Sequence, residues 1–379
     1  MTTVLHGTTW EHERGYGSVV AAAEAYRRVR PDVEVIWQYR SLLDFGDKGL
    51  DQLVDGVDLL VIDHPHIPFA AEDGFLLPLD GAGHDDELDV LNELSVGPSH
   101  RSYQHLGRQW GLASDAAAQV AAWRPDLIDA PPCTWDDVFA LADEGRVLWP
   151  GKPVDAYSSL LTVAASHGAP AFSEPDVFLT REDGRAALEL LRRLAAAVPP
   201  DNLSLNPIQV ADLLTDGERF AYSPLLFGYT NYSRRGFRQH RLAYSGIPAG
   251  SHGMRGSLLG GAGVAVSART MNAQAAIDHA FWLASAPVQE GVYFDGGGQP
   301  GNAIAWDSGR TNEIAWDFFR ATRATLESAY VRPRHRNYPE LQNELGAMIT
   351  ETVAGTRDID DTIDRCNLLT ARVLDGVTC

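Results

Sequence analysis

Apolar and polar positions change rhythm several times along the first 80 residues. Residues 3–7 (TVLHG) form a short apolar run closed by glycine and predict a strand. Over 16–30, Val19, Val20, Ala23 and Tyr26 recur at helical spacing, basic residues fill the last turn, and Pro31 stops it. Residues 33–40 (VEVIWQYR) return to a period of two, and 45–54 predict a short helix. Residues 58–63 (DLLVID) are apolar without alternation. A β-α-β-α-β order whose third strand is apolar on both faces implies a parallel sheet covered by helices on both sides.

Further along, residues 110–128 (WGLASDAAAQVAAWRPDLI) read as a segment that crosses between halves of the molecule. Helices are predicted over 134–146, with Thr134 as N-cap, and over 156–168, 181–198, 206–217 and 271–285. Strands are predicted over 219–225 and 261–268, and the tail from Asn312 is nearly all helical. No internal repeat and no low-complexity linker interrupts the chain. Two lobes that share crossing strands fit this better than two domains on a tether.

Size and charge narrow the function classes. A chain of 379 residues can bury two cores. Lys plus Arg is 31 and Asp plus Glu is 51, a net charge of −20. Nucleic acid and anionic membranes would repel such a surface, so no nucleic-acid partner is expected. No apolar run reaches the roughly 18–20 residues of a membrane span, so no membrane insertion is expected. The opening MTTVLHGTTW has neither a basic nor an apolar leader region, which predicts a cytoplasmic protein. An extracytoplasmic site is expected instead if an N-terminal segment has been removed. Cys133, Cys366 and Cys379 are too few and too scattered for a disulfide framework or a zinc site.

In an open α/β sheet, ligands sit beyond the carboxyl ends of the strands. That rule selects Thr8, Thr9, Trp10, Glu11 and His12 after the first strand and Arg40 after the second. After the third it selects Asp63, His64 and His66. Trp10 offers an apolar plate, Arg40 a fork for a carboxylate, and Asp63 and Glu11 acceptors for hydroxyl groups. The plain alternatives are that Asp63 caps a turn, that Trp10 only packs, and that Arg40 pairs with Asp44 or Asp63. A metal held by His12, His64, His66, Asp63 and Glu11 is disfavoured, because His64 and His66 in an extended segment point to opposite sides. Gly296, Gly298 and Gly301 match G-x-G-x-x-G, but Pro300 intrudes and no acid follows at the required distance. No cofactor and no metal is expected. In the second half, Tyr229 and Tyr232 lie in an aromatic run with Asn231 and Arg234, a pattern suited to stacking and hydrogen bonding.

Several stretches in order carry a resemblance. They are DLLVIDHP, GFLLPLD, WGLASDAAAQVAAWRPDLI, CTWDDVFALA, GERFAYSPLLFGYTNY, LLGGAGVAVSARTMNAQAAIDHAFWLAS and GGGQPGNAIAW, followed by a C-terminal helical hairpin. Together they resemble the solute-binding proteins of ABC importers, in the branch with sugar-binding members. The resemblance implies a periplasmic-binding-protein-like (type II-like) α/β fold of two lobes, each with a mostly parallel sheet, and a ligand cleft between them. It implies lobe one over 1–112 plus 262–308 and lobe two over 113–261 plus 309–379. It puts Asp115 and Gln119 on the crossing segment of lobe two, facing the cleft. It also implies hinge closure on a small molecule, and an ABC permease as partner if the chain is exported. The glycine-rich stretches are expected to bring backbone close to the ligand or the other lobe. The expected ligand is sugar-like, aromatic or carboxylate-bearing. The alternative is a cytoplasmic enzyme derived from the same fold, with Asp63 and His64, and Glu11 nearby, as an acid–base set.

Overall fold

The computed structural model describes residues 2–40, 54–174 and 176–374. Asp44, Cys379 and, but for Val54, the helix predicted over 45–54 lie outside the described residues. The chain divides into two compact units, Met1–Ala117 with Gly260–Ala315, and Ala118–Leu259 with Trp316–Cys379. The chain passes from one unit to the other three times. The division differs from the expected one. Asp115 belongs to unit 1, because residues 113–117 are held there by Arg14 and by the glycine loops described below, and Gln119 belongs to unit 2.

The unit 1 sheet runs in the order β2 (Val33–Arg40), β1 (Thr3–Trp10), β3 (Leu59–Ile62) and β9 (Leu259–Val266). β1 is parallel to β2 in unbroken register from Thr3↔Val33 to Trp10↔Arg40, and parallel to β3 at Gly7↔Leu59 and Thr8↔Leu60. β9 closes the other side of β3 antiparallel. The first strand is therefore longer than its sequence suggests. Gly7 is not a stop: the ring of Trp37 lies on it, and an added Cβ would fall 2.4 Å from that ring. A separate hairpin joins β4 (Gln104–His105) to β5 (Arg108–Gln109).

β3 explains why its sequence does not alternate. All four residues are buried, but they enter two different cores. Leu59 and Val61 pack with Leu5, Val19, Tyr26 and Phe281, while Leu60 and Ile62 pack with Val54, Ile67, Leu76 and Tyr103. Each face of the sheet has its own apolar cover, as a central strand of an α/β layer requires. The start of the strand is fixed by Asp58, whose carboxylate accepts the His6 amide at 2.8 Å and the Thr270 hydroxyl.

Unit 2 is helix-dominated. β6 (Leu112–Trp123) enters it from unit 1, and β7 (Tyr222–Phe227) and β8 (Ala243–Ser245) both pair antiparallel to β6. A mostly parallel sheet is thus found in unit 1 but not in the ladders of unit 2. The entering strand runs opposite to the strands formed within the unit, and parallel pairing appears there at the Val147↔Tyr222 bridge. Helix Pro153–Ser166 packs against Tyr338–Val353 and Arg181–Ala197 around Trp149, Leu160, Leu161, Leu191 and Leu345. Arg124 is buried here and makes four hydrogen bonds: it bonds both oxygens of Asp126 and the carbonyls of Leu214 and Gly217.

Candidate functional site

At the carboxyl edge of the unit 1 sheet, Trp10 ends β1, directly beside Arg40 at the end of β2. The indole is 5% exposed. Gly15 lies against it, and a Cβ there would meet the ring at 2.5 Å. β3, paired parallel with β1 at Gly7↔Leu59 and Thr8↔Leu60, runs on to Ile62, which brings Asp63 to the same edge. Glu11 is exposed, and its amide donates to the Arg40 carbonyl at 2.8 Å. His12 Nδ1 accepts the Arg14 amide at 3.0 Å and so caps the turn that follows.

Asp63 does cap a helical turn: its Oδ1 accepts the His64 amide at 2.8 Å. Residues 64–66 form a 3-10 turn, so the two histidines are not arranged across an extended segment as expected. His64 is 1% exposed, lies edge-on to Tyr103, and has its Nδ1 3.1 Å from Asp63 Oδ1. Among the described residues, no three His, Cys, Asp or Glu side chains are grouped to hold a metal ion.

The strongest polar feature of unit 1 is one the sequence reading passed over. Arg14, two residues beyond His12, makes a two-point contact with Asp115, with Nε 2.7 Å from Oδ2 and Nη2 on Oδ1. Both side chains are buried, at 4% and 0% exposure. Burial pushes the Asp115 carboxyl above its ordinary range, Arg14 opposes that, and the charge of Asp63 adds to it. The buried Tyr293 phenol joins the cluster through Ser18 and Ser114, and burial and the Asp115 charge raise it. The glycine-rich stretches converge here. Gly261 has φ +103°, and a Cβ on it would lie 2.5 Å from the Asp115 carbonyl oxygen. One on Gly301 would lie 2.4 Å from that of Ala113. These glycines let backbone pack on β6 around Asp115. Carboxyl-edge reasoning carried two residues further, into the Arg14-Gly15 turn, would have found this pair.

The candidates in unit 2 are held in its interior. Gln119 is buried; its Oε1 accepts from Thr162 at 2.6 Å and its Nε2 donates to Ser159 at 3.3 Å. Tyr232 is fully buried and donates to Asp212 Oδ1 at 2.8 Å, while Arg238 holds the same carboxylate at 2.9 Å. Tyr229 is buried, and its carbonyl accepts from the Tyr244 hydroxyl at 3.1 Å. These bonds tie the Tyr232 ring, the Tyr229 backbone and the Gln119 amide into unit 2. Cys133 is exposed and Cys366 buried, with burial raising the Cys366 thiol to about 12.

An α/β unit of this strand order, joined to a helix-rich unit by three chain crossings, defines a class: the periplasmic-binding-protein fold. Solved structures of that fold superpose along almost the whole chain. Maltose-bound MalE3 of T. maritima is 17% identical with a TM-score of 0.84, covering 99% of this chain and 100% of its own. An ABC transporter solute-binding protein of Thermotoga lettingae TMO bound with alpha-D-tagatose is 16% identical with a TM-score of 0.82, over 98% and 100%. One from Agrobacterium radiobacter K84 in complex with ribitol is 18% identical with a TM-score of 0.80, over 98% of each chain. The family model described as bacterial extracellular solute-binding protein matches residues 31–311, and the chain belongs to that family.

Proposed function

We propose that this solute-binding protein captures a neutral, polyhydroxylated small molecule, a sugar or sugar alcohol, on the carboxyl edge of the unit 1 sheet. The observation that carries the reading is the Arg14–Asp115 pair beside Trp10. The guanidinium is already matched at two points by a carboxylate, and Asp63 adds a second acid close to Asp115. A carboxylate-bearing solute would find Arg14 already paired and Asp63 opposing it, with Arg40 the counter-charge beside Trp10, whereas hydroxyl groups find acceptors and a ring to lie on. The sugars and sugar alcohol bound by structurally similar proteins support the same class. Hinge closure and delivery to an ABC permease belong to the proposal as well. The enzyme alternative has less support, since the His64 ring is sealed against Tyr103 and its partner carboxylate caps a helical turn.

The test is thermal shift and titration calorimetry with maltose, tagatose, ribitol, mannitol and glucuronate, with scattering to follow the radius of gyration. A neutral member is expected to raise the melting temperature and lower the radius of gyration, following the mass-action stabilisation of a bound native state. Trp10→Ala and Asp63→Asn are each expected to weaken that binding by about tenfold or more, or about 1.4 kcal/mol. Binding of glucuronate alone, or turnover of any of these compounds seen by mass spectrometry, would overturn the reading.

A further inference from the structure

Residues 234–241 (RRGFRQHR) of unit 2 hold four arginines and a histidine and no acid, in a chain whose net charge is −20. This loop is pinned at its base. The Leu242 amide donates to the Tyr232 carbonyl at 2.9 Å, Ser233 Oγ to the Leu242 carbonyl at 2.7 Å, and Arg241 Nε to the Ser233 carbonyl at 2.6 Å. Two of the loop's cations are matched by acids of the same unit. Arg238 holds Asp212, which also takes the Tyr232 hydroxyl, and His240 lies 3.5 Å from Asp126, which also takes Arg124. Arg235 and Arg241 have no carboxylate partner among the described residues. Arg235 is exposed.

Arg241 lies on Trp316, with its guanidinium carbon 4.2 Å from the ring centre. Partial burial and the like charge of Arg235 draw Arg241 below its ordinary range. Trp316 is 39% exposed and has φ +52°, and Asp317, which pairs with Arg320, follows with φ +60°. Left-handed backbone at a bulky side chain is strained, and glycine or asparagine would make the same turn at less cost. A strained tryptophan with its ring open to water points to contact with something outside the unit. Trp and Arg are the side chains that most often carry the binding energy of protein interfaces. The two unmatched arginines call for an anion. A small anion on an open surface is screened and gains little, whereas a segment of chain brings several carboxylates together with an apolar side chain to cover the indole. We infer that Arg235, Arg241 and Trp316 form a docking surface of unit 2 for an acidic segment of a protein partner. The surface is separate from the unit 1 sheet edge and does not rest on the solute-binding reading.

The experiment selects binders to the wild-type protein from a random peptide library displayed on phage, then measures the selected peptides by fluorescence anisotropy. The selected sequences are expected to be rich in Asp and Glu around an apolar or aromatic residue, although the chain as a whole repels anions. Arg235→Glu, Arg241→Gln and Trp316→Ala are each expected to weaken a selected peptide at least about tenfold, and added salt to weaken it in wild type. Arg235→Glu decides the matter, because that exposed side chain has no hydrogen bond or ion pair to lose among the described residues; its melting temperature checks the fold. A selection that enriches nothing, or enriches peptides without acidic residues, overturns the inference. An acidic peptide bound within twofold of wild type by folded Arg235→Glu overturns it equally. Inorganic phosphate that binds wild type as tightly as the peptide would make the two arginines a small-anion site and overturn it. Binding of maltose, tagatose, ribitol or mannitol that is present in wild type and lost in Arg235→Glu would assign the residue to solute capture, and overturns it too.

Discussion

Arg14 and Asp115 are buried together, and each offsets the cost of burying the other's charge. Arg14→Met leaves a buried carboxylate without its counter-ion, which costs about 3–5 kcal/mol in comparable pairs. Urea unfolding should show that loss, and Arg14→Met combined with Asp115→Leu should recover most of it, since an apolar pair carries no desolvation cost. The sequence exposes such residues unevenly. Trp10, Arg40 and Asp63 are legible because a general rule about strand ends points at them. Arg14 lies two positions past where that rule was applied, and its partner is 101 residues away. Tyr232 shows the reverse problem: its spacing suggests an open aromatic wall, but Asp212 and Arg238 draw it into the interior. Nothing local in the sequence marks which tyrosine will find a buried acceptor.

Elements were more readable than residues. The helix beginning at Ser18 and β2 follow from period, because each buries a face whose spacing the backbone dictates, and β3 follows from an unbroken apolar run buried on both faces. The length of β1 was not legible, because its last three residues are held extended by pairing with β2 and not by their own pattern. The antiparallel ladders of unit 2 were also hidden, since strand direction depends on where the chain enters. β3 offers a test at this scale. Leu60 and Val61 occupy opposite cores, so Leu60→Ala should cost about 2–5 kcal/mol. Because the two sites lie on opposite faces, Val61→Ala should add to it nearly independently. A double mutant well short of additive in denaturant melts would show that the two cores are not separate.

Across the whole molecule, two buried groups set opposing pH slopes. His279 sits among Tyr26, Trp37 and Trp282 without a hydrogen bond among the described residues, and burial lowers it to about 3. Its folded value lies below the unfolded one of about 6.5. The stability it allows is therefore complete above about pH 6.5 and is lost as pH falls toward 3. Asp155 works the other way: with a folded value of about 8, it costs more stability as pH rises from about 4 to 8. The opposing slopes cancel where the two ranges overlap, so these two groups leave stability highest over about pH 4 to 6.5. His279→Phe should flatten the acid side of the curve and Asp155→Asn the alkaline side, read from urea midpoints between pH 4 and 9.

β9 is the neighbour that completes β3, yet it begins at Leu259 whereas β3 ends at Ile62. The ribosome thus makes one edge of the unit 1 sheet almost two hundred residues before its cover. At about 5–20 residues per second, that edge stands open for roughly 10–40 s of synthesis. An apolar LLVI strand with free backbone groups is a template for pairing with another chain. Slower elongation should therefore lengthen that exposure, and a chaperone that covers the strand should shorten it.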